Sequence, residues 1–344
     1  MLRHERVSLE QAPLAVARDL AALDVGRVER DADLSKLSWW RIGGRADLLV
    51  EPRSPSAAQG VLRYLARAGI PRIVIGDGSN LLFDDAGLRG VVVRIGRSLN
   101  GMRVRLGTVS AGAGLYVPRF VRKLGSLGLS GLEHAIGIPG TLGGLVVMNG
   151  GSQRKSIGSV VVKVSGCDLS GEPFEHDHAA CRFRYRGSRL NDDGLVVLET
   201  TLALHQGDPA AMRREMIGIM AERRRKFLKD QPNCGSVFVS DPAMYATVGP
   251  PGAAIERVGL KGARFGGAEI SPRHANFIVN LGGARSADVL SLIALARDRV
   301  RAATGFAMAC EVRHVSPDGR IRPAHVTADE RSASPRPGAF TLSA

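Results

Sequence analysis

Residues 131–151, GLEHAIGIPGTLGGLVVMNGG, decide how this chain is read, and seven of them are glycine. Glycine loses more conformational freedom on folding than any other residue, so a cluster inside an apolar segment calls for positive φ or close approach to a ligand. Pro139 stiffens the same turn. N–H groups bared by such a turn can hold phosphate oxygens or the polar edge of a flat cofactor. Taken alone, the cluster is equally well a tight loop between two strands, and its companions along the chain tip the balance.

The first companion lies upstream. Residues 72–75 have the pattern of a buried strand and run directly into Gly76-Asp77-Gly78-Ser79-Asn80-Leu81-Leu82, which leaves N–H groups and short polar side chains at a strand tip. This resembles a phosphate cradle. Leu81 stands where the third glycine of a dinucleotide fingerprint belongs, and residues 84–90 read as a turn, so that fold is not supported. Arg41-Ile42-Gly43-Gly44 forms a further glycine turn.

Around these turns, strands and helices mix in an α+β pattern. A leading helix is predicted near residues 14–23, a strand at 46–51, and a helix over 56–67 announced by Ser54 and Pro55. Short strands dominate residues 91–204, with a helix near 117–127. Asp208-Pro209 repeats the cap signal for a helix to about residue 227, buried through Met212, Met216, Ile219 and Met220. Arg223, Arg224, Arg225 and Lys226 crowd its last turn, where cations favour the helix dipole before any ligand is invoked. Ser236 is predicted at a strand start; no neighbouring histidine or G-x-S-x-G elbow supports a hydrolase serine. A helix at 253–258, a strand at 275–280, a helix capped by Ser286 and stopped by Gly305, and a strand at 308–315 follow.

At 344 residues with 42 glycines, four tyrosines and two tryptophans, the chain is long enough for two or three domains with aliphatic cores. Lys plus Arg outnumber Asp plus Glu by 47 to 33, a formal +14, which favours anionic partners such as phosphate-bearing cofactors. The basic residues are otherwise dispersed, without zinc-finger spacing or interleaved aromatics, which argues against nucleic acid. Cys167, Cys181, Cys234 and Cys310 form no CxxC pair and suit reduced thiols of a cytoplasmic protein. The His176-x-His178 pair sits in a polar turn, and no metal site is expected. No signal peptide or run of about 18 apolar residues appears, so the expectation is a soluble, cytoplasmic protein away from membranes.

Seven motifs now stand in order: WWRIGG at 39–44, GDGSNLLF at 76–83, GLEHAIGIPGTLGG with MNGG, YRGS at 185–188, PNCGSVF at 232–238, GLKGARFGGAEISPRHANFIVN at 259–280 and CEVR at 310–313. This set, spanning roughly residues 36–323, resembles the UDP-N-acetylenolpyruvoylglucosamine reductases of peptidoglycan precursor synthesis, in their shorter type without a tyrosine-bearing insertion. The resemblance implies a leading helix and connector at 1–35 and a two-lobed FAD-binding module of the vanillyl-alcohol oxidase type at 36–205, its lobes at roughly 36–95 and 96–205. A substrate-binding α+β domain at 206–326 and a disordered tail at 327–344 would follow.

It also implies non-covalent FAD held by Ile42, Gly43, Gly44, Gly76, Asp77, Gly78, Ser79, Asn80, Leu81, Gly137, Ile138, Pro139, Gly140, Thr141, Gly143, Gly144 and Asn149, with NADPH as hydride donor. The nucleotide-sugar substrate would meet Tyr185, Arg223, Lys226, His274 and Asn276. Arg186 would stabilise the negative charge that hydride addition pushes into the enolpyruvyl carboxylate, Glu311 would assist, and Ser236 would protonate the adjacent carbon. A monomer is favoured. The chain departs from the family pattern at Gly151-Ser152-Gln153-Arg154-Lys155-Ser156, in place of an Ala-Tyr-Gly type of sequence, and at Val239-Ser240-Asp241-Pro242, in place of Lys-Asn-Pro. The rival readings are a flavin oxidase or paralogue acting on another substrate, and a non-catalytic flavin or nucleotide binder.

Overall fold

The computed structural model describes residues 12–226, 230–332 and 341–342. These form two compact units. The first holds the described residues up to Ala32, Ala46–Asp77 and Arg89–Ala221; the second holds Asp33–Arg45, Gly78–Leu88 and the described residues from Glu222 onward. The division therefore differs from a simple cut near residue 205, because the second unit recruits two segments from the N-terminal part of the chain.

In the first unit, a four-stranded sheet runs in the order Gly26–Asp33, Arg45–Pro52, Leu88–Arg94, Arg72–Ile75, the last two strands parallel. The helix Pro55–Arg67 starts where the sequence signals it: the Ser54 hydroxyl accepts the Ala57 N–H at 3.1 Å, and Pro55 occupies the first turn, where no N–H is needed. Its Ala58, Val61, Leu62 and Leu65, at helical spacing, are buried. Each of the larger side chains contributes about 1.5–3 kcal/mol relative to exposure. A five-stranded antiparallel sheet follows, in the order Pro173–Asp177, Val161–Cys167, Val196–Ala203, Thr108–Gly112, Met102–Arg105. The helix Pro209–Lys226 begins at Asp208, whose carboxylate accepts the N–H groups of Ala210 and Ala211, each at 3.1 Å. Met212, Met216 and Ile219 are its buried side.

The second unit is built on two small sheets. In one, Ile278–Asn280, Ala268–Ile270, Ala263–Phe265 and Thr341–Leu342 lie in order. In the other, Arg313–Val315 pairs antiparallel with Ile321–Pro323 and parallel with Leu81–Phe83. The helix Ser286–Thr304 ends at Gly305, whose φ of 76° is the left-handed stop. Ser286 is its first residue rather than its cap: its hydroxyl donates to Asp85 Oδ2 at 2.8 Å, and the Asp288 carboxylate instead receives the Arg285 N–H at 2.9 Å. Trp40 is fully buried, its indole donating to the Ile278 carbonyl at 2.7 Å.

Three further expectations are corrected. The tail predicted from residue 327 is helical over Ala324–Ser332, with Ala324 and Ala328 buried, and Thr341–Leu342 pairs with Ala263–Phe265; residues 333–340 and 343–344 lie outside the described residues. The strand predicted over 308–315 forms a ladder only at Arg313–Val315. Ser236 lies in an irregular segment, followed by a single antiparallel bridge between Phe238 and Cys310.

Candidate functional site

Two glycine stretches meet in the first unit. A Cβ on Gly76 would stand 2.3 Å from Thr141 Oγ1, so the strand tip at 76–77 and the 137–144 stretch are in contact. Thr141 caps the helix Leu142–Val147, and Gly143 lies against Ala113, where a Cβ would come within 2.9 Å of the alanine methyl. Among the described residues, the N–H groups of Gly76, Gly137, Gly140 and Thr141 donate to no protein acceptor. Asp77, whose charge would repel an anion, is paired with Arg94 at 3.0 Å, and Arg94 also contacts Glu51 at 3.2 Å. A cradle of bared N–H groups beside a neutralised carboxylate fits a phosphate-bearing cofactor.

The glycines of the second unit have a different reason. A Cβ on Gly78, at φ 63°, would lie 1.7 Å from the Leu37 carbonyl oxygen; on Gly44, 2.3 Å from that of Asp85; on Gly43, at φ 143°, 2.8 Å from Phe83 Cβ. Main chain of the same unit packs where the side chains of residues 44 and 78 would be, and the Phe83 and Leu34 Cβ atoms where that of residue 43 would be. Ile42 is buried beside Trp40 and Leu82, Leu81 opens the strand that pairs with Arg313, and Ser79 is half-buried. These positions have a packing role in their own loops, and the bared N–H groups of the first unit are at Gly76, Gly137, Gly140 and Thr141.

Arg186 also belongs to the first unit. Arg184 and Gly187 exchange N–H···O=C bonds of 2.9 and 3.1 Å, which makes Tyr185 and Arg186 the two-residue tip of a tight turn. Arg186 occupies it at φ 54°, a left-handed conformation costing a non-glycine residue about 1–2 kcal/mol. Its guanidinium lies 5.3 Å from the ring centre of Tyr185, which is itself exposed. The turn is gripped from behind. Asn149 Nδ2 donates to the Arg184 carbonyl at 2.8 Å while its Oδ1 accepts the Gly158 N–H at 2.9 Å, and the Ser188 hydroxyl donates to the Val147 carbonyl at 2.6 Å.

Ser236 and Glu311 come together in the second unit. The Glu311 N–H donates to the Val237 carbonyl at 2.8 Å, and the Val239 N–H to the Ala309 carbonyl at 2.9 Å. Asn276 is buried beneath this segment, with Oδ1 accepting the Phe238 N–H at 2.9 Å and Nδ2 donating to the Phe238 carbonyl at 3.0 Å. Asn80 Nδ2 donates to the Glu311 carbonyl at 3.0 Å. His274 Nδ1 accepts the Asn276 N–H at 3.2 Å, and its ring stands edge-on to Phe277. Burial pushes the Cys234 thiol up to about 12, so it stays a neutral thiol.

Arg223 is half-buried near the end of the helix Pro209–Lys226, and the side chain of Lys226 lies outside the described residues. The substitution at 239–242 has a local explanation for Asp241: it caps the helix Pro242–Thr247, its Oδ1 accepting the Ala243 N–H at 2.9 Å. Buried Glu133 and His134 carried no signal in the sequence beyond their apolar neighbours. Burial pushes the Glu133 carboxyl up, but hydrogen bonds from Ser130 and Gly131 with nearby Lys155 outweigh it and hold the group below its usual range. Burial, reinforced by Lys155, pushes the His134 imidazole down to about 4. Among the described residues there is no cluster of metal-ligating side chains, and no helix is long and apolar enough to cross a membrane.

Residues 46–173 match the FAD binding domain family, so the unit carrying the cradle is of the flavin-binding class. Residues 227–315 match the UDP-N-acetylenolpyruvoylglucosamine reductase C-terminal domain. UDP-N-acetylenolpyruvoylglucosamine reductase 1 of Corynebacterium glutamicum is 46% identical over 89% of this chain and 91% of its own length. The reductase of Heliobacterium modesticaldum is 39% identical over 86% and 92%. The crystal structure of the Thermus caldophilus reductase superposes with a TM-score of 0.69 at 30% identity, covering 84% of this chain and 98% of that one. The chain belongs to the UDP-N-acetylenolpyruvoylglucosamine reductase family.

Proposed function

We propose that this protein reduces the enolpyruvyl ether of UDP-N-acetylenolpyruvoylglucosamine to UDP-N-acetylmuramate, acting in the cytoplasm as a monomer. The observation that supports the reading most is the main-chain bond that sets Glu311 against the residue following Ser236, in a chain whose relatives carry this activity by name over nearly their whole length. FAD, when bound and reduced by NADPH, would supply the hydride chemistry needed at the terminal carbon of the enolpyruvyl double bond.

The chain's own residues manage the charge and the proton. Arg186 presents a planar, permanently charged fork suited to the substrate carboxylate as negative charge builds there, an interaction worth several kcal/mol in a water-poor site. The Ser236 hydroxyl donates a proton to the adjacent carbon. That carbon is strongly basic at this stage, which makes so weak an acid competent. Glu311 orients the same group. Tyr185, Arg223, Lys226 and His274 contact the nucleotide sugar, and the N–H groups of Gly76, Gly137, Gly140 and Thr141 would hold the cofactor phosphates.

The test is direct. Purified protein with a flavin absorbance oxidises NADPH when the enolpyruvyl nucleotide is added, and the product is heavier by two hydrogens. NADPH oxidation that yields peroxide and leaves the nucleotide unchanged overturns the proposal in favour of an oxidase.

A further inference from the structure

Each of the three proposed catalytic residues is held by main chain that an asparagine side chain grips. Asn149 Nδ2 donates to the Arg184 carbonyl, two residues before Arg186; Asn276 Nδ2 donates to the Phe238 carbonyl, two residues after Ser236; Asn80 Nδ2 donates to the carbonyl of Glu311 itself. The bonds are 2.8, 3.0 and 3.0 Å long. Asn149 and Asn276 are 5% and 4% exposed, and each also accepts a main-chain N–H, from Gly158 and from Phe238 respectively. Asn80 is anchored at its other end, where its own carbonyl accepts the Arg313 N–H at 3.0 Å.

We propose that Asn80, Asn149 and Asn276 are positioning residues for the reduction, holding Glu311, Arg186 and Ser236 through main-chain carbonyls. The inference rests on the function proposed above and reassigns residues that otherwise read as cofactor or substrate contacts. All three proposed catalytic residues lie outside regular ladders. Arg186 sits on a two-residue turn in a left-handed conformation, and Ser236 and Glu311 flank a single bridge. Regular strands would fix such residues through repeated hydrogen bonds; here a primary amide, donor and acceptor in one rigid plane, replaces a missing neighbouring strand. The bond from Asn149 to the Arg184 carbonyl opposes the left-handed strain two residues away, which would otherwise let the turn relax.

Asn→Asp at each position tests the role, because it keeps the shape and acceptor oxygen but replaces the donor that faces the carbonyl. Under anaerobic conditions, each variant should bind flavin as the parent does and be reduced by NADPH within about twofold of the parent rate. Reoxidation of reduced flavin by the enolpyruvyl nucleotide should slow about 10–100-fold, the scale of a small misplacement of a reacting group. In an Arg186→Ala background, Asn149→Asp should add little further slowing. Asn280→Asp serves as a comparison, since Asn280 makes the same kind of bond, to the Trp40 carbonyl at 2.9 Å, remote in sequence from the proposed catalytic residues. It should lower the melting temperature without slowing reoxidation per bound flavin.

Loss of flavin from the Asn80 or Asn149 variant would make that residue a cofactor ligand and overturn its positioning role. Equal slowing of both half-reactions, normal reoxidation, or slowing by Asn280→Asp as large as by the others would overturn the inference as a whole. Failure of the parent protein to be reoxidised by the nucleotide would instead refute the proposed function.

Discussion

The main-chain N–H of Glu311 donates to the carbonyl of Val237 at 2.8 Å, so the proposed glutamate is tied to the residue that follows the proposed proton donor Ser236. With the isolated Phe238–Cys310 bridge and the bond from Val239 to Ala309, this joins two irregular segments over only a few residues. Ser236 and Glu311 thus lie in irregular segments with half-buried side chains, fixed in register by main-chain bonds.

Ser236→Ala should separate the two half-reactions. Flavin reduction by NADPH needs no proton delivered to a substrate carbon and should continue at nearly the parent rate. Reoxidation by the enolpyruvyl nucleotide should fall about 10²–10⁴-fold, the usual loss with a positioned proton donor. Stopped-flow absorbance of the flavin reads both rates, and fast reoxidation in the variant would show that another group donates.

Arg186→Gly should abolish turnover at little cost in stability. Glycine adopts the left-handed φ of 54° without strain, and this relief offsets its greater freedom in the unfolded chain, leaving a net change within about 1 kcal/mol. Arg186→Val should lose turnover too, but also unfold at lower urea concentration, because a branched side chain disfavours this conformation. Equal urea midpoints for the two variants would contradict the strained turn.

Stability should fall as the pH drops from about 6.5 towards 4, with His134 a principal cause. The imidazole titrates near 6.5 when unfolded and near 4 when folded, so within this window the unfolded state binds the extra proton. The contribution is fully present above 6.5 and amounts to about 3 kcal/mol lost at the acid end. His325, whose imidazole burial also lowers, acts in the same direction. Urea titrations at pH 4.5 and 7.5 should show a smaller difference for His134→Leu than for the parent.

Ending the chain at residue 326 should destabilise it by about 2 kcal/mol or more. It removes buried Ala328, the ion pair of Arg297 with Asp329, and the two bonds of 2.7 and 2.9 Å from Arg322 to Glu330. Arg297 is only 15% exposed and would be left without that partner carboxylate. A melting temperature equal to that of the full chain would show that the helix Ala324–Ser332 contributes nothing.

Much of the scaffold was legible because its signals are local. Ser54-Pro55 and Asp208-Pro209 start helices where capping chemistry places them, and Gly305 stops one. The cradle at Gly76 and Thr141 was legible as glycine turns, although nothing in the order of residues revealed that the two turns touch. Gly43, Gly44 and Gly78 show a limit: the close packing at each, against Phe83, Asp85 and Leu37, leaves no mark in the sequence beyond the glycine itself. Asn80, Asn149 and Asn276 grip carbonyls of segments distant in sequence, and such bonds leave no periodicity behind. The short helix at the end was missed because its small apolar face, Ala324 and Ala328, is only two alanines wide.

The parallel pairing of Leu81–Phe83 with Arg313–Val315 has a consequence for how the protein is made. During synthesis, the segments Asp33–Arg45 and Gly78–Leu88 leave the ribosome long before their partners in the second unit exist. The first unit has most of its partners by Ala221, but the second cannot close until Arg313–Val315 has emerged. Contacts so far apart in sequence are slow to form, and until then apolar Trp40 and Leu82 remain uncovered. Expression of residues 222–344 alone would leave Arg313–Val315 without its parallel neighbour and Asn276 and Glu311 without the Asn80 loop, so the unit that carries Ser236 is not a separable module.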